Sequence, residues 1–357
     1  MQAIRFGFIQ SVKMSLIVIK AGILDTLQDL GRSGYQHLGI NPNGAMDKFA
    51  MQIANLLAGN DPGEAVLEMH FPVSVFLFTQ PALIALSGAD FSAHINGEPV
   101  PILHSIAVIK NDVLQFHQPE KGARAYLAVS GGFSLDKWMN SYSTNLKAHT
   151  GGYAGRALKK DDEVPFRQSL AFPELMKEKD FLVFPWQADI KYLPIQQGIA
   201  REGKDDNPDI LVLPGNEWER LSAGAKEKFL NSSFSITRQS DRMGYRLDNE
   251  QLQSISTEEI ISSAVSFGTI QLRPDGGLIN LMADHQTTGG YPRIAHVISA
   301  HHSILAQKKA DDTIRFRLTD QQTAEDLLVK QEQHLGQLQN ACTFRLRELI
   351  KIKNENN

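Results

Sequence analysis

The sequence predicts a mainly β protein made of two similar β-barrel units, with a few helices and a long helix at its C-terminal end. Three observations carry this. Short β-prone runs broken by Gly, Pro, Asn and Asp recur at regular spacing between residues 15 and 318, the pattern of barrels or sandwiches. Three short motifs occur twice, in the same order. The last 38 residues, 320–357, lose the β pattern, and 320–350 is rich in Leu, Gln, Glu and Lys.

In the first unit, 14–166, the runs are 16–21, 73–78, 83–87, 93–95, 105–109, 113–116 and 125–129. Asn96-Gly97 between two of them is a strong two-residue hairpin signal, because both residues tolerate positive φ. Asn111-Asp112 is a second, weaker turn signal. One helix interrupts the pattern: Asp47 caps it, Phe49, Ala50, Ile53, Ala54, Leu57 and Ala58 recur at helical spacing, and Gly59 stops it. That stripe is core packing. Residues 167–208 are less patterned, charged over 174–180 and rich in charge, Gly and Pro over 202–208, and they mark the junction. The second unit, 209–319, contains the runs 209–213, 233–237, 268–272, 277–283, 294–299 and 313–318. The tail 320–350 predicts a helix of about 45 Å. Leu328, Leu335, Leu338, Cys342 and Leu349 keep an approximate heptad that Gln331, Gly336 and Arg345 weaken, so the helix is expected to pack on the body or on a partner.

The repeated motifs imply a duplication. Arg32-Ser33-Gly34-Tyr35 recurs as Arg242-Met243-Gly244-Tyr245, with Asp29 and Asp241 upstream. Thr150-Gly151-Gly152-Tyr153 recurs as Thr288-Gly289-Gly290-Tyr291, and Lys159-Lys160-Asp161-Asp162 leads to Phe166 as Lys308-Lys309-Ala310-Asp311-Asp312 leads to Phe316. Two similar barrels joined near residue 200 explain this, with matching positions facing each other across the junction.

Composition narrows the function. At 357 residues the chain suffices for two domains, and 42% hydrophobic content is ordinary for a globular protein. A net charge of −4 with interspersed signs points to neither nucleic acid nor an anionic membrane as partner. The single cysteine, Cys342, excludes an internal disulfide framework and fits a reducing, cytoplasmic compartment. No run approaches the roughly 20 apolar residues of a membrane span. Residues 1–13 do not read as a signal peptide, and Met14 is a candidate natural start.

The richest chemistry lies in 281–292. The apolar run before it reads as a buried strand, so Asp284, His285, Gln286, Thr287 and Thr288 emerge where a rigid strand ends. Gly289-Gly290 then frees the backbone for positive φ or for close approach to a ligand, and Pro292 biases Tyr291 to an extended conformation. The plainer alternative is a polar turn. In Ser240-Asp241-Arg242-Met243-Gly244-Tyr245-Arg246, two guanidiniums flank a glycine and can grip a carboxylate or phosphate; the alternative is an Asp–Arg turn lock. Asp29, Arg32, Tyr35, Gln36 and His37 share a loop hinged by Gly31 and Gly34, whose alternative is a structural corner with Arg32 paired to Asp29. Capping alone accounts for Asp47.

Other stretches carry less. Gly198 to Lys204 imitates a phosphate-binding loop, but Asp205 stands where Ser or Thr should hold magnesium, and Pro208 breaks the required helix. His301 and His302 would point to opposite faces of a strand, so they read as surface or turn histidines and not as a metal pair. No metal site is expected. Glu68-Met69-His70 lacks the Met-Lys pair of a biotin carrier, so any biotin would arrive on another protein.

Together these stretches resemble the second-subunit group of allophanate hydrolase-like proteins, the biotin-dependent carboxyltransferase family, which includes the C-type component of 5-oxoprolinase. The resemblance runs from about Ile19 to Leu328. It is carried by the 26–39 stretch from Thr26 through Asp29 and Arg32 to Gly39, by Gly44-Ala45-Met46-Asp47, by 54–60, by Leu86-Ser87-Gly88-Ala89-Asp90 and by 126–132. The second half adds 240–247, Gly268-Thr269-Ile270-Gln271 and 284–292. Three positions depart from the usual family pattern. Asn140-Ser141-Tyr142-Ser143-Thr144 stands where Gly-Ser-Arg-Ser-Thr is common, His301-His302 where Asp-Leu is usual, and Ala310-Asp311 replaces a Pro-Gly turn. The first could shift substrate preference; the others look like local turn changes.

The resemblance implies paired cyclophilin-like β-barrels, and a subunit in place of a complete enzyme. In the 5-oxoprolinase system, similar subunits act with a B-type, allophanate hydrolase subunit 1-like partner in an ATP-dependent step that activates the lactam of 5-oxo-L-proline. An A-type hydrolase partner then finishes hydrolysis to L-glutamate. On this reading ATP is a co-substrate of the complex. Arg242 or Arg246 holds the substrate carboxylate or a phosphate, Asp284 and His285 are acid–base candidates, and Gln286 or Thr287 donates to the developing oxyanion. Ser240, Asp241, Thr288, Gly289, Gly290, Tyr291, Asp29, Arg32, Tyr35, Gln36, His37 and Asp47 complete the expected substrate-binding set. Two other implications stay open: the carboxyltransferase half of a biotin-dependent urea-type carboxylase, with biotin on another chain, and a non-enzymatic regulator that binds a kinase-inhibitor-like partner. Lactam, urea and allophanate are all small, planar and amide-like, so residue spacing does not choose among them.

Overall fold

In the computed structural model the described residues are 14–172, 180–189, 208–248, 251–256, 258 and 260–355. The class is mainly β, as the spacing predicts. In the first half one antiparallel sheet runs, edge to edge, through Glu163–Pro165, Ser15–Lys20, Val75–Phe78, Val113–Phe116, Ala93–Ile95 and Glu98–Pro99. A second runs through Phe181–Gln187, His104–Val108, Ala82–Asp90, Lys121–Val129, Val66–His70 and Leu24–Gln28. Leu16, Val18, Phe76, Phe78, Ile84, Leu86 and Leu127 form one buried cluster drawn from both sheets. Asn96 and Gly97 take φ of 53° and 86° and close the hairpin between Ala93–Ile95 and Glu98–Pro99, as their sequence requires.

The second half has an eight-stranded sheet in the order Thr313–Ile314, Phe234–Ile236, Gly244–Asp248, Leu278–Leu281, Thr269–Leu272, Arg293–Val297, Ile210–Pro214 and Phe316–Leu318, and a separate two-stranded pair of Ser263–Ala264 with Thr288–Gly289. The two outermost strands of the larger sheet are consecutive in the chain, separated by Arg315 alone, so the sheet wraps into a nearly closed barrel. Phe229 stacks on Phe316 inside it, ring centroids 4.9 Å apart.

Helix α1 is Lys48–Leu57, α2 is Ala223–Asn231, α3 is His302–Ala306 and α4 is Gln321–Glu355. The Asp47 cap is present, its Oδ1 accepting from the Ala50 amide at 2.9 Å. Asp320 caps α4 in the same way through the Thr323 amide at 2.8 Å. With 35 residues, α4 is about 52 Å long. It lays Leu335, Leu338 and Cys342 against Phe49, Ile53, Ala54 and Leu57 of α1, and Leu346 against Leu83 and Phe172.

Several elements depart from the sequence expectation. Leu24–Gln28 and Val66–His70 are strands with Asp25, Thr26, Gln28 and Glu68 buried among apolar neighbours, so they show no alternation to read. Phe181–Gln187 lies within the stretch expected to be junction yet pairs with His104–Val108; as an edge strand it tolerates Pro185. His301 and His302 sit in a helical turn and not on a strand. His301 is no surface residue: it is buried, and its Nδ1 accepts from the Leu211 amide at 3.1 Å. Residues 190–207, with the phosphate-loop imitation, lie outside the described residues, as do 1–13.

The repeated Lys-Asp motif folds identically in both halves. Asp161 donates its amide to the Val18 carbonyl at 2.8 Å, and Asp311 does so to Ile236 at 2.8 Å. The carboxylates of Asp162 and Asp312 accept from the amides of Lys159 and Lys309 at 2.7 and 2.9 Å. Asp161 and Asp311 share a left-handed φ of 69° and 72°. One turn thus closes onto equivalent strands in each half, the local geometry that a duplication leaves.

Candidate functional site

Loops from both halves meet at the junction around Arg242. This arginine is 6% exposed, and its fork is spent within the chain. Nε donates to Asp284 Oδ2 at 2.9 Å, Nη2 to Asp284 Oδ1 at 3.1 Å and to the Gly44 carbonyl at 2.6 Å, and Nη1 to Glu68 Oε1. A guanidinium has five N–H groups, and these bonds engage four of them. The sequence expectation gives Arg242 a substrate's carboxylate or a phosphate to hold; in the structure its fork holds the protein's own carboxylates, Asp284 and Glu68, instead.

From this pair a hydrogen-bonded chain runs both ways. Asn43 Nδ2 donates to Asp284 Oδ1 at 2.8 Å, and Arg32 Nη1 donates to Asn43 Oδ1 at 2.6 Å. Arg32 also binds the Ser143 carbonyl and lies 4.6 Å from the Trp138 ring centre. In the other direction Tyr126 donates to Glu68 Oε2 at 2.9 Å and accepts the Asp47 amide at 2.8 Å. Asp47 Oδ2 then accepts from Ser303 and Gln307 at 2.9 and 2.8 Å. The repeated arginines Arg32 and Arg242 therefore converge on Asp284, the facing arrangement that the duplication predicts.

Burial sets the electrostatics. It raises the Glu68 carboxyl, but the Arg242 guanidinium and neighbouring positive charge outweigh it, and Glu68 ends below the ordinary range. Burial also lowers Arg242, which Asp284 and Glu68 reverse, leaving it above its ordinary value. Asp47 is pushed up by burial against three stabilising donors, and the Tyr126 phenol rises well above its usual value.

The expected pairing of Arg32 with Asp29 does not form. Asp29 takes the Gly31 and Tyr142 amides at 2.8 and 2.7 Å and the Ser141 and Ser143 hydroxyls at 2.7 and 2.6 Å. Those donors lie nearer and fill its oxygens, which leaves Arg32 to Asn43 and Ser143. Nor do Arg242 and Arg246 form one grip. Arg242 turns into the junction, whereas Arg246 is exposed on the strand Gly244–Asp248 and bonds Gln239 at 3.0 Å. Arg246 lines a separate cleft of about 430 Å³ with Arg238, Arg273, Asp248 and Asp275.

The 284–291 loop leaves the end of Leu278–Leu281, as the sequence predicts. Asp284 is its anchor, with both carboxylate oxygens bonded as above and its carbonyl accepting from Asn41 at 3.0 Å. His285 is buried, with Nδ1 2.6 Å from the Gln286 carbonyl. A carbonyl only accepts, so Nδ1 carries the proton and Nε2 keeps its lone pair. Burial lowers the His285 imidazole, with Lys48 pushing the same way. Gln286 and Thr287 are half-buried, and Thr288, Gly290 and Tyr291 are exposed. Neither Gly289 nor Gly290 takes positive φ, whereas their counterparts Gly151 and Gly152 do, at 67° and 54°. At Gly289 the demand is space: a Cβ there would lie 2.5 Å from Gln271 Nε2.

The remaining expected residues surround this core without joining it. Tyr35 accepts from Asn140 at 3.0 Å, and Gln36 and His37 are exposed on a single turn. Asp241 and Ser240 brace the turn before Gly244–Asp248 through the amides of Met243 and Arg246, at 2.8 and 3.0 Å. Sequence reasoning missed Asn43, Glu68, Tyr126, Gln271 and Gln307. A lone Glu inside the apolar run Val66-Leu67-Glu68-Met69 was the one available signal. Among the described residues no three His, Cys, Asp or Glu side chains converge as a metal site, and no helix is long and apolar enough to cross a membrane.

Residues 38–318 match the family described as carboxyltransferase domain, subdomain A and B. The chain is 33% identical over 313 residues to the C-type subunit of 5-oxoprolinase from Haemophilus influenzae, covering 88% of this chain and 94% of that one. It is 34% identical over 301 residues to the corresponding 5-oxoprolinase subunit of Escherichia coli, covering 84% and 90%. The crystal structure of the K. lactis urea amidolyase superposes with a TM-score of 0.81 at 25% identity over 93% of this chain, which spans 20% of that protein.

Proposed function

The chain belongs to the carboxyltransferase domain family, and from that membership we propose that it is the C-type subunit of an ATP-dependent 5-oxoprolinase, working with B-type and A-type subunits to open 5-oxo-L-proline to L-glutamate. The observation that carries this reading is collinearity: relatives named for that subunit are matched over 94% and 90% of their own length. A lactam amide is inert, and phosphorylation of its oxygen by ATP makes the carbon a better electrophile.

In this proposal the buried Arg242–Asp284–Glu68 cluster fixes the two halves and holds the 285–291 loop at the strand end. Gln286 and Thr287 then donate to the oxygen on which charge develops, and His285 offers Nε2 as a base. Asp284 positions its neighbours and exchanges no proton, because Arg242 and Asn43 occupy its oxygens.

The test is reconstitution with B-type and A-type subunits and measurement of ATP-coupled glutamate release from 5-oxo-L-proline. The full set should turn over and this chain alone should not. Gln286→Leu in the complex should lower kcat/KM by at least about tenfold, the worth of one hydrogen bond to a developing charge. The structural likeness to urea amidolyase favours a second reading, carboxyl transfer from biotin carried on another chain. Avidin-sensitive bicarbonate fixation onto urea, with no lactam opening, would decide for that reading and against the first.

A further inference from the structure

A cleft of about 410 Å³ lies where both halves meet α4, within the size range of small-molecule sites. Leu30 and Met46 of the first half, Phe267 of the second and Leu328 of α4 give it apolar walls, with Leu30 and Leu328 exposed. No residue of the 284–291 loop lines it.

Two polar side chains of this cleft lack partners. Asp47 caps α1 through one carboxylate oxygen and bonds Ser303 and Gln307 through the other. This docks the start of α1 on α3 and brings Lys48 and His302 to one cleft. Lys48 is exposed and makes no hydrogen bond or ion pair among the described residues. Enclosure lowers its ammonium below the ordinary 10.5, which Asp29 offsets only in part. Glu332 of α4 lines the cleft too, but it is exposed and forms no ion pair with Lys48. His302 is pinned in place. Its Nε2 lies 3.3 Å from the Val297 carbonyl, its ring centre lies 4.4 Å from that of Phe267, and a Cβ on Gly268 would lie 2.7 Å from Nε2. A carbonyl only accepts, so Nε2 carries the proton and Nδ1 the lone pair. Burial, with Lys48 adding to it, lowers the ring to about 3, so it stays uncharged at neutral pH. Nδ1 has no partner among the described residues and is not closed off from solvent.

We propose that this cleft is a second ligand site, for a small carboxylic acid that carries an N–H beside its carboxylate. Lys48 takes the carboxylate, His302 Nδ1 accepts the N–H, and the apolar walls cover the carbon skeleton. Such a molecule satisfies both the ammonium without an anion and the lone pair without a donor, whereas a plain anion meets only the first and an uncharged amide only the second. Lys48 belongs to the first half and His302 to the second, so the ligand also ties the halves together and stabilises the folded chain. The site is independent of the function proposed above, because the loop assigned to that chemistry takes no part in it.

The experiment titrates the full chain, without partner subunits, by isothermal titration calorimetry with three probes: 5-oxo-L-proline, its N-methyl derivative, which has no N–H, and pyrrolidinone, which has no carboxylate. Wild type should bind 5-oxo-L-proline about tenfold more tightly than pyrrolidinone and about fivefold more tightly than the N-methyl acid, the worth of one charged and one neutral hydrogen bond. Lys48→Met should erase the preference for the carboxylate and keep that for the N–H; His302→Leu should do the reverse. Steric hindrance by the methyl group would survive His302→Leu, so loss of the preference there identifies the hydrogen bond. No binding by wild type, or survival of the matching preference in either variant, would overturn the proposal, whatever the reconstituted complex does with a lactam. If His302→Leu fails to melt cooperatively, Lys48→Met, at an exposed position, decides alone.

Discussion

Arg242 shows why a buried ion pair is better judged by what its removal exposes than by the bonds it makes. Glu68 and Asp284 are both buried and share that one guanidinium. Arg242→Met should therefore cost about 3–5 kcal/mol, the penalty of stranding buried charge. Arg242→Lys should recover little, because an ammonium lacks the planar fork. Urea midpoints within about 1 kcal/mol of wild type for both variants would show the cluster to be dispensable. Asp25 behaves oppositely. Its carboxyl is pushed up from 3.8 to about 6 by burial, with Oδ2 accepting the Ser74 amide at 2.8 Å and Oδ1 unpartnered among the described residues. The folded value lies above the unfolded one, so this residue's contribution is full below pH 3.8 and is lost as pH rises through 6. Asp25→Asn should flatten stability against pH over that window by up to about 3 kcal/mol. An unchanged profile would place Asp25 in a more polar setting than its burial indicates.

Among elements, α1 is one that bridges the two halves. Its cap residue satisfies the helix through Oδ1 and reaches Ser303 and Gln307 of the other half through Oδ2. A cap by itself is worth about 1 kcal/mol. Asp47→Ala should cost distinctly more, because it also leaves two buried donors unpaired. A loss no larger than that of an ordinary cap would show the cross-half bonds to be worth nothing. On the opposite side α4 seals α1 with Leu335, Leu338 and Cys342. This explains why the tail packs on the body: the apolar stripe has a partner within the chain, and burial pushes the Cys342 thiol up to about 11, which makes it inert.

At the scale of the whole molecule, burial keeps several histidines neutral. His70 and His301 are lowered to about 4 and His302 to about 3, each chiefly by burial. All three folded values lie below the unfolded 6.5, so their contribution is full above pH 6.5 and is lost as pH falls toward 4. Three such groups outweigh the opposite slope of Asp25, and the urea midpoint should fall between pH 7 and pH 5. Equal midpoints at the two values would mean that these rings are hydrated. Much of the fold was legible because its signals are local: the Asn96-Gly97 hairpin, the Asp47 cap and the twin Lys-Asp turns are each set by a few adjacent residues. Strands such as Val66–His70 were hidden because burial on both faces erases alternation. By itself the sequence determined the β class, the duplication and the chemically rich 284–291 stretch, since spacing and residue type suffice for those. Only the tertiary structure decided that Arg242 is spent on Glu68, 174 residues earlier, that Asp284 is an anchor, and that Gln271 lies beneath Gly289. A charged or amide side chain acquires its role from the groups that desolvate and pair it, and chain closure chooses those groups.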